Sequence, residues 1–354
     1  MNLLRKPLLW ILLGMAVLCS CSEDEPEQDD TKHIMPEMMV IFSPDGLGDG
    51  CYNDQILRGI ELMLNEHEQD VNIMFITPND LEDVAFLTQY WLETLDEPSD
   101  EEGNIARKLL ILASSEYADI ARGLLGDTQL DINRSILAFE AQDNGDETEQ
   151  IRTFDFSMYG ASWLAGRTAQ LLGCQKPLVL LGNGDNATTF DGRDGFVDGF
   201  KLAAGENATV DVGAIAMDWR GYGMPTETYQ KMYEYDGKYD FIYSISGGSN
   251  MGIYRYLREF PECGIYTAGM DIDQSPYSTL IVGSMVKRID LVLHDYLLNW
   301  YNKVEVPRYQ HFGMESGYID WQIADRYSKE LKEQVDALRQ EAIKKEKEHA
   351  NDQK

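Results

Sequence analysis

The sequence predicts an α/β protein built from two parallel sheets, and three observations predict it. Short apolar runs of strand length alternate with helix-period segments from residue 38 onward. Such alternation implies parallel strands covered by helices on both faces. Roughly 310 residues remain once an N-terminal leader, the acidic stretch after it and a charged tail are set aside, a length that suits two lobes of ordinary size better than one. Finally, a glycine-rich acidic loop, Ser43 to Gln55, separates the first strand from the first helix. In open α/β sheets that position is the carboxyl edge, where ligands bind.

The elements follow in order. Met38 to Phe42 is a continuous apolar run and reads as a buried strand, and Ile56, Leu57, Ile60, Leu62, Met63 and Leu64 then mark the inward face of a helix. Asn72–Thr77 is a second strand with its helix over Asp80–Leu95; the turn-rich acidic stretch Asp96–Asn104 is a surface loop. Lys108–Ala113 and Ser135–Glu140 are further strands, and Asp143–Glu149 is a surface or crossing loop. A long helix is expected from Phe154 to Leu172, packing through Trp163-Leu164-Ala165-Gly166. Pro177–Gly182, Asp211–Met217, Tyr239–Ser244 and Cys263–Ala268 are the later strands, and Ile289–Trp300 is a helix. The helical tail Tyr327–Lys347 carries Leu331, Val335, Leu338 and Ile343 at helical spacing, while its last dozen residues read as too charged to pack.

The N-terminus has the form of a secretory signal: Arg5 and Lys6, an apolar run Leu8–Leu18, then small residues. Leu18-Cys19-Ser20-Cys21 resembles a bacterial lipobox, with residues 1–20 removed and lipid on Cys21; Cys19 fits less well, with Leu18 before it. Residues 21–36 form an acidic tether too poor in apolar residues to fold. The acidic start also resembles the export tag of surface lipoproteins in one group of Gram-negative bacteria; a plain solvated spacer is the other reading. The formal charge of −31 excludes electrostatic binding to nucleic acid or an anionic membrane face. After the anchor, Cys51, Cys174 and Cys263 remain, an odd and widely spaced set that allows one bridge but reads as three buried thiols.

Four loops at strand ends are candidates for the site: Ser43–Gln55, Gly182–Arg193, Ser246–Gly252 and Gly269–Ser275. In the first, Tyr52 offers a stacking face and Asn53 polar groups, or else a helix cap. Gly247 and Gly248 open a helix whose amides can hold a polar group, or form a plain turn. Asp271 stands just past a strand end. Lys287 is a cation in apolar surroundings, whose ordinary reading is a snorkelling lysine.

Together these residues resemble the basic membrane protein family, lipoproteins that bind substrate for ABC importers and whose characterised members bind purine nucleosides. The family's Asp-x-Ser-Phe-Asn-Gln is matched by Asp49-Gly50-Cys51-Tyr52-Asn53-Asp54, and its aromatic-Leu-Ala-Gly helix by Trp163–Gly166. Its Gly-Phe-x-x-Gly corresponds to Gly195–Gly199, and Ala-Gly-Gly-x-Gly to Ser246–Asn250. Gly-Val-Asp-x-Asp-Gln corresponds to Gly269–Gln274, and Thr-Ser-Met-x-Lys-x-x-Asp to Gly283–Asp290. The resemblance implies a type I periplasmic-binding-protein fold: two doubly wound parallel-sheet lobes joined by a three-stranded hinge, with the ligand between them. The lobes would be 37–148 with 276–303, and 149–275 with 304–345, leaving 346–354 as a charged tail. It further implies that Tyr52 stacks on the base beside Asn53, that Trp219 forms the opposing wall, and that Asp271 and Lys287 bind ribose hydroxyls. Gly247 or Gly248 would supply an amide, and Asp45 would replace the family's first acid, which falls on Ser43. Two further departures fall at specificity positions: Ser114-Ser115-Glu116-Tyr117 introduces a carboxylate, and the second-lobe aromatic is displaced to Phe190.

The function expected is ligand binding without catalysis, cofactor or metal, by a monomer that hands a nucleoside, another flat polar ring or a sugar to an ABC permease or outer-membrane transporter. The alternative is a surface receptor or sensor for such a ligand, uncoupled from an importer. The five histidines form no H-E-x-x-H pair and no G-x-S-x-G is present. The loop Asp45 to Ile56 has Leu47 and Ile56 where a calcium loop needs oxygens.

Overall fold

Two six-stranded sheets organise the chain. The computed structural model describes residues 34–66, 70–141, 150–205 and 207–352; the leader, Cys21, residues 22–33 and the loop 143–149 lie outside them. The first sheet contains β1 (Glu37–Ile41), β2 (Asn72–Ile76), β3 (Lys108–Leu112), β4 (Arg134–Phe139), β5 (Ile151–Phe156) and β11 (Tyr309–Phe312). Its order is β11-β5-β4-β3-β1-β2 and every pairing is parallel. The second contains β6 (Pro177–Asn183), β7 (Asp211–Ala216), β8 (Phe241–Ile245), β9 (Tyr266–Asp271), β10 (Ile281–Lys287) and β12 (Ile319–Ile323). It runs β12-β10-β9-β8-β6-β7, with only β12 antiparallel.

The helices of the first lobe are α1 (Tyr52–Glu66), α2 (Leu81–Glu93), α3 (Tyr117–Leu125) and α8 (Ile289–Tyr301). Those of the second are α4 (Tyr159–Leu171), α5 (Phe190–Ala204), α6 (Pro225–Tyr235), α7 (Asn250–Glu259), α9 (Lys329–Asp336) and α10 (Arg339–Asp352). Because both faces of each sheet are covered, the central strands are largely apolar, and β6, β8 and β10 are buried at every residue. Leu109 and Ile111 of β3 face one core and Leu110 and Leu112 the other; Val179 and Leu181 of β6 are separated likewise from Leu178 and Leu180. Two of the motifs form a single helix contact. A Cβ on Gly199 of α5 would overlap the Trp163 carbonyl of α4, and one on Gly166 would overlap the Phe196 carbonyl.

Several expectations are corrected. Phe154 does not begin a helix: it lies in β5, its ring centroid 4.8 Å from that of Phe139, and α4 starts at Tyr159. The lobe limits shift with it. β5 pairs with β4 in the first sheet, β10 with β9 in the second, and β11 with β5 in the first. The chain therefore passes between sheets after Phe156, after Lys287 and after Phe312. Residue periodicity marks a strand but does not say which ladder it joins. Nor is the tail loose. Glu346 of α10 is buried and accepts hydrogen bonds from the Met314 amide at 3.0 Å and the Gly160 amide at 3.4 Å. His349 stacks on Tyr159 and contacts Asp191 at 3.2 Å. Of the thiols, Cys51 and Cys174 are buried but Cys263 is only half-buried, and none of the three is paired.

Candidate functional site: the interlobe cleft

The strands of both sheets end on one cleft, which encloses about 870 Å³ counting the solvent at its mouth. Its wall is assembled from the segments that follow β1 to β8 in turn, together with Ile245 of β8, Met270 and Asp271 of β9, and Met285 and Lys287 of β10. Parallel strands with helices behind them leave this edge uncovered, which is why the ligand sites of such folds lie there.

The loop from Ser43 to Cys51 is held by its own polar groups. The Asp49 carboxylate caps α1, accepting from the amides of Cys51 (2.9 Å) and Asn53 (2.8 Å). Asp54 accepts from the Gly48 and Gly50 amides, both glycines having positive φ. Asn53 is spent inside the loop: its side-chain amide donates to Ser43 Oγ (2.8 Å) and the Gly46 carbonyl (2.9 Å), and its oxygen accepts from the Ser43 amide. Asn53 thus does not line the cleft, and its expected contact with a base is corrected to a role in shaping the loop. Tyr52 does line it. Its buried hydroxyl lacks a hydrogen bond of ordinary geometry, and burial followed by the Glu140 charge holds it protonated.

Beneath Tyr52 lies a three-residue ion chain. Lys287 Nζ is 2.8 Å from Glu140 Oε1 and 3.1 Å from Asp271 Oδ1, and 5.4 Å from the centroid of the Tyr52 ring. Glu140 directly follows β4 of the first sheet, whereas Asp271 and Lys287 end strands of the second, so the chain of charges bridges the lobes. Burial opposes the ammonium, but Asp271 and Glu140 outweigh it and raise the Lys287 pKa. Burial raises that of Asp271 despite Lys287 beside it. Both carboxylates sit at positive φ, 49° for Glu140 and 66° for Asp271, a conformation that non-glycine residues rarely adopt and that concentrates at functional sites.

The remaining wall joins the loops of both lobes. Trp219 and Tyr222, in a short 3-10 turn after β7, line the cleft together with Gly247, whose φ is 53°. Gly248 stands just beyond Gly247, and a Cβ on either glycine would lie 3.7 Å from Asp45 Oδ2, so Asp45 of the first lobe reaches this turn of the second. Burial first, and then the Asp49 charge, push the Asp45 pKa up to about 6. Asn186 donates to Ser115 Oγ (3.2 Å), Glu116 Oε1 (3.3 Å) and the Tyr222 hydroxyl (3.1 Å), closing the cleft on another side. Gln55 Nε2 donates to the Asp271 carbonyl at 2.9 Å, a further contact between lobes.

The cleft thus brings together Asp45, Tyr52, Trp219, Gly247, Asp271 and Lys287, with Gly248 at its edge and Asn53 outside. Glu140, Asn186 and Tyr222 were not legible as site residues. Glu140 is the last residue of an ordinary strand pattern, and only its left-handed backbone turns the carboxylate toward Lys287. Tyr222 lies three residues beyond Trp219, and the Gly182 backbone it packs against is distant in sequence.

A model of the family described as ABC transporter substrate-binding protein PnrA-like matches residues 37–353. No curated protein matches the chain. A solute-binding protein of an ABC transporter system from Aeropyrum pernix K1 superposes with a TM-score of 0.67 at 14% identity, covering 88% of this chain and 92% of that one. A transcriptional activator of the comK gene from Bacillus halodurans gives 0.62 at 15% identity, covering 87% and 97%. A solute-binding protein from Conexibacter woesei DSM 14684 gives 0.55 at 13% identity, covering 88% and 97%. At these identities the superpositions show the shared two-lobed fold, which both transporters and regulators use. The family match over nearly the whole folded region is the narrower finding: the chain belongs to the Bmp family of PnrA-like ABC transporter substrate-binding proteins.

Proposed function

We propose that this protein captures a small polar ring-bearing molecule, a nucleoside, between its lobes and presents it to a transport partner while tethered to a bacterial membrane by lipid on Cys21. The observation that carries the reading is the placement of Tyr52 and Trp219, from opposite lobes, on one cleft above the Glu140–Lys287–Asp271 ion chain. Aromatic faces supply apolar area and stacking to a flat ring, and the charged groups supply strong hydrogen bonds to its hydroxyl-bearing side. Closure of the lobes creates the surface that an ABC permease, or an outer-membrane transporter, reads as the loaded state. Among the described residues no helix is long and apolar enough to cross a membrane.

Thermal-shift screening against nucleosides, bases and sugars tests the reading, since a ligand at a hundred times its Kd stabilises by about 2.7 kcal/mol. For the ligand found, Tyr52→Ala is expected to weaken binding by about 1–3 kcal/mol in calorimetry. Unchanged affinity in that variant removes Tyr52 from the site, and a screen in which no nucleoside shifts the melting temperature sinks the nucleoside assignment.

A further inference from the structure

We propose that the cleft is charge-selective and takes its ring ligand in a positively charged form, as a heterocycle or nucleoside bearing a quaternary or protonated nitrogen. This rests on the ring-binding reading above and adds the ligand's charge to it. The cleft is lined by five carboxylates, Asp45, Asp49, Glu116, Glu140 and Asp271, against one cation among the described lining residues, Lys287. That cation is already closed against two of the five. Drawing it toward an anionic ligand would leave Glu140 and Asp271 buried together with no counter-charge, so a phosphate or carboxylate has no partner here.

The other acids differ in how they are compensated. Asp49 is held by backbone amides, and Glu116 by the Ser114 hydroxyl and Asn186. Asp45 lies against the Gly247–Gly248 turn, and the cation in the adjoining hollow, Arg220, is paired with Asp218. Four aromatic residues, Tyr52, Tyr117, Trp219 and Tyr222, share the lining. Rings together with unneutralised carboxylates form the environment that binds organic cations, through cation–π attraction and charge complementarity. One such pairing is already built in, with the Lys287 ammonium over the rings of Tyr52 and Phe156.

The test uses a pair of ligands differing by one charge: nicotinamide riboside, a permanent cation, and its neutral 1,4-dihydro form, with adenosine and guanosine as neutral references. Calorimetry on the full mature chain at low salt is expected to show the cation bound at least tenfold more tightly than its neutral counterpart. The ratio should fall toward one in the double variant Asp45→Asn, Glu116→Gln. Equal or tighter binding of the dihydro form, or of adenosine, overturns charge selection while leaving ring binding in place. A ratio unchanged in the double variant overturns the assignment to these carboxylates. If none of the four probes binds, the ring-binding reading fails and charge selection fails with it.

Discussion

At the residue scale, Asp45 is the group whose chemistry is most displaced by its setting. Its carboxyl has an ordinary pKa of 3.8 and is raised to about 6 in the folded protein, by burial and then by Asp49. Between those values the folded state holds a proton that the unfolded state has lost. Stability therefore falls as pH rises through this window, and above it the whole cost of keeping the carboxylate ionised is in place. Asp45→Asn removes that cost. The ligand-free variant is expected to be more stable than wild type by about 1–2 kcal/mol near pH 8, after screening by solvent at the cleft mouth. The advantage should shrink through pH 6 and vanish below about pH 4. Urea unfolding at the two ends of this range reads the difference, and an advantage of equal size at both would mean the shift has another source.

Helix contacts dominate at the element scale. Gly199 and Gly166 let the backbones of α5 and α4 touch, so the motifs at 163–166 and 195–199 are one interlocking surface and not a ligand contact. Gly199→Ala forces a methyl group into the Trp163 carbonyl and is expected to destabilise by about 3 kcal/mol, measured as a lower urea midpoint with an unchanged m-value. The C-terminal helix α10 acts on the connections between lobes. Glu346 accepts from Gly160, just after the first connection, and from Met314 in the third. Removing that acceptor leaves two buried amides unpaired, so Glu346→Ala should cost about 2–3 kcal/mol. Glu346→Gln keeps one acceptor oxygen and should recover part of the loss; equal unfolding curves for all three proteins would show that α10 bears no load there.

The lobes meet through few side chains, and function at the scale of the whole molecule depends on that. Asn186 ties the loop after β6 to Ser115 and Glu116 of the first lobe, and Gln55 reaches the Asp271 carbonyl. Losing one such bond weakens the closed form by about 1 kcal/mol. Asn186→Ala removes two such bonds and is accordingly expected to release bound ligand at least fivefold faster. Stopped-flow displacement measures the rate, and an unaltered rate would place the closure energy elsewhere. The overall charge of −31 adds a long-range field that favours the approach of cations over anions.

Much of this molecule is written locally. The apolar run Met38–Phe42, the glycine loop after it and the periodic face of α1 are properties of neighbouring residues, and they determine a parallel α/β architecture with ligand loops at the strand ends. The order of motifs along the chain, with Tyr52, Asp271 and Lys287 among them, belongs to the sequence too. Only the tertiary structure decided which sheet β5 and β10 join, because an apolar strand buried on both faces carries no mark of its ladder partner. It also decided that Asn53 serves its own loop and that Glu140 completes the ion chain. The charged tail seats Glu346 where Gly160 and Gly313 leave room for it. Glu140 and Glu346 each meet a partner more than a hundred residues away, and Glu140 does so from a backbone turned into a rare conformation. No local pattern encodes an energy that exists only when distant segments share one low-dielectric space.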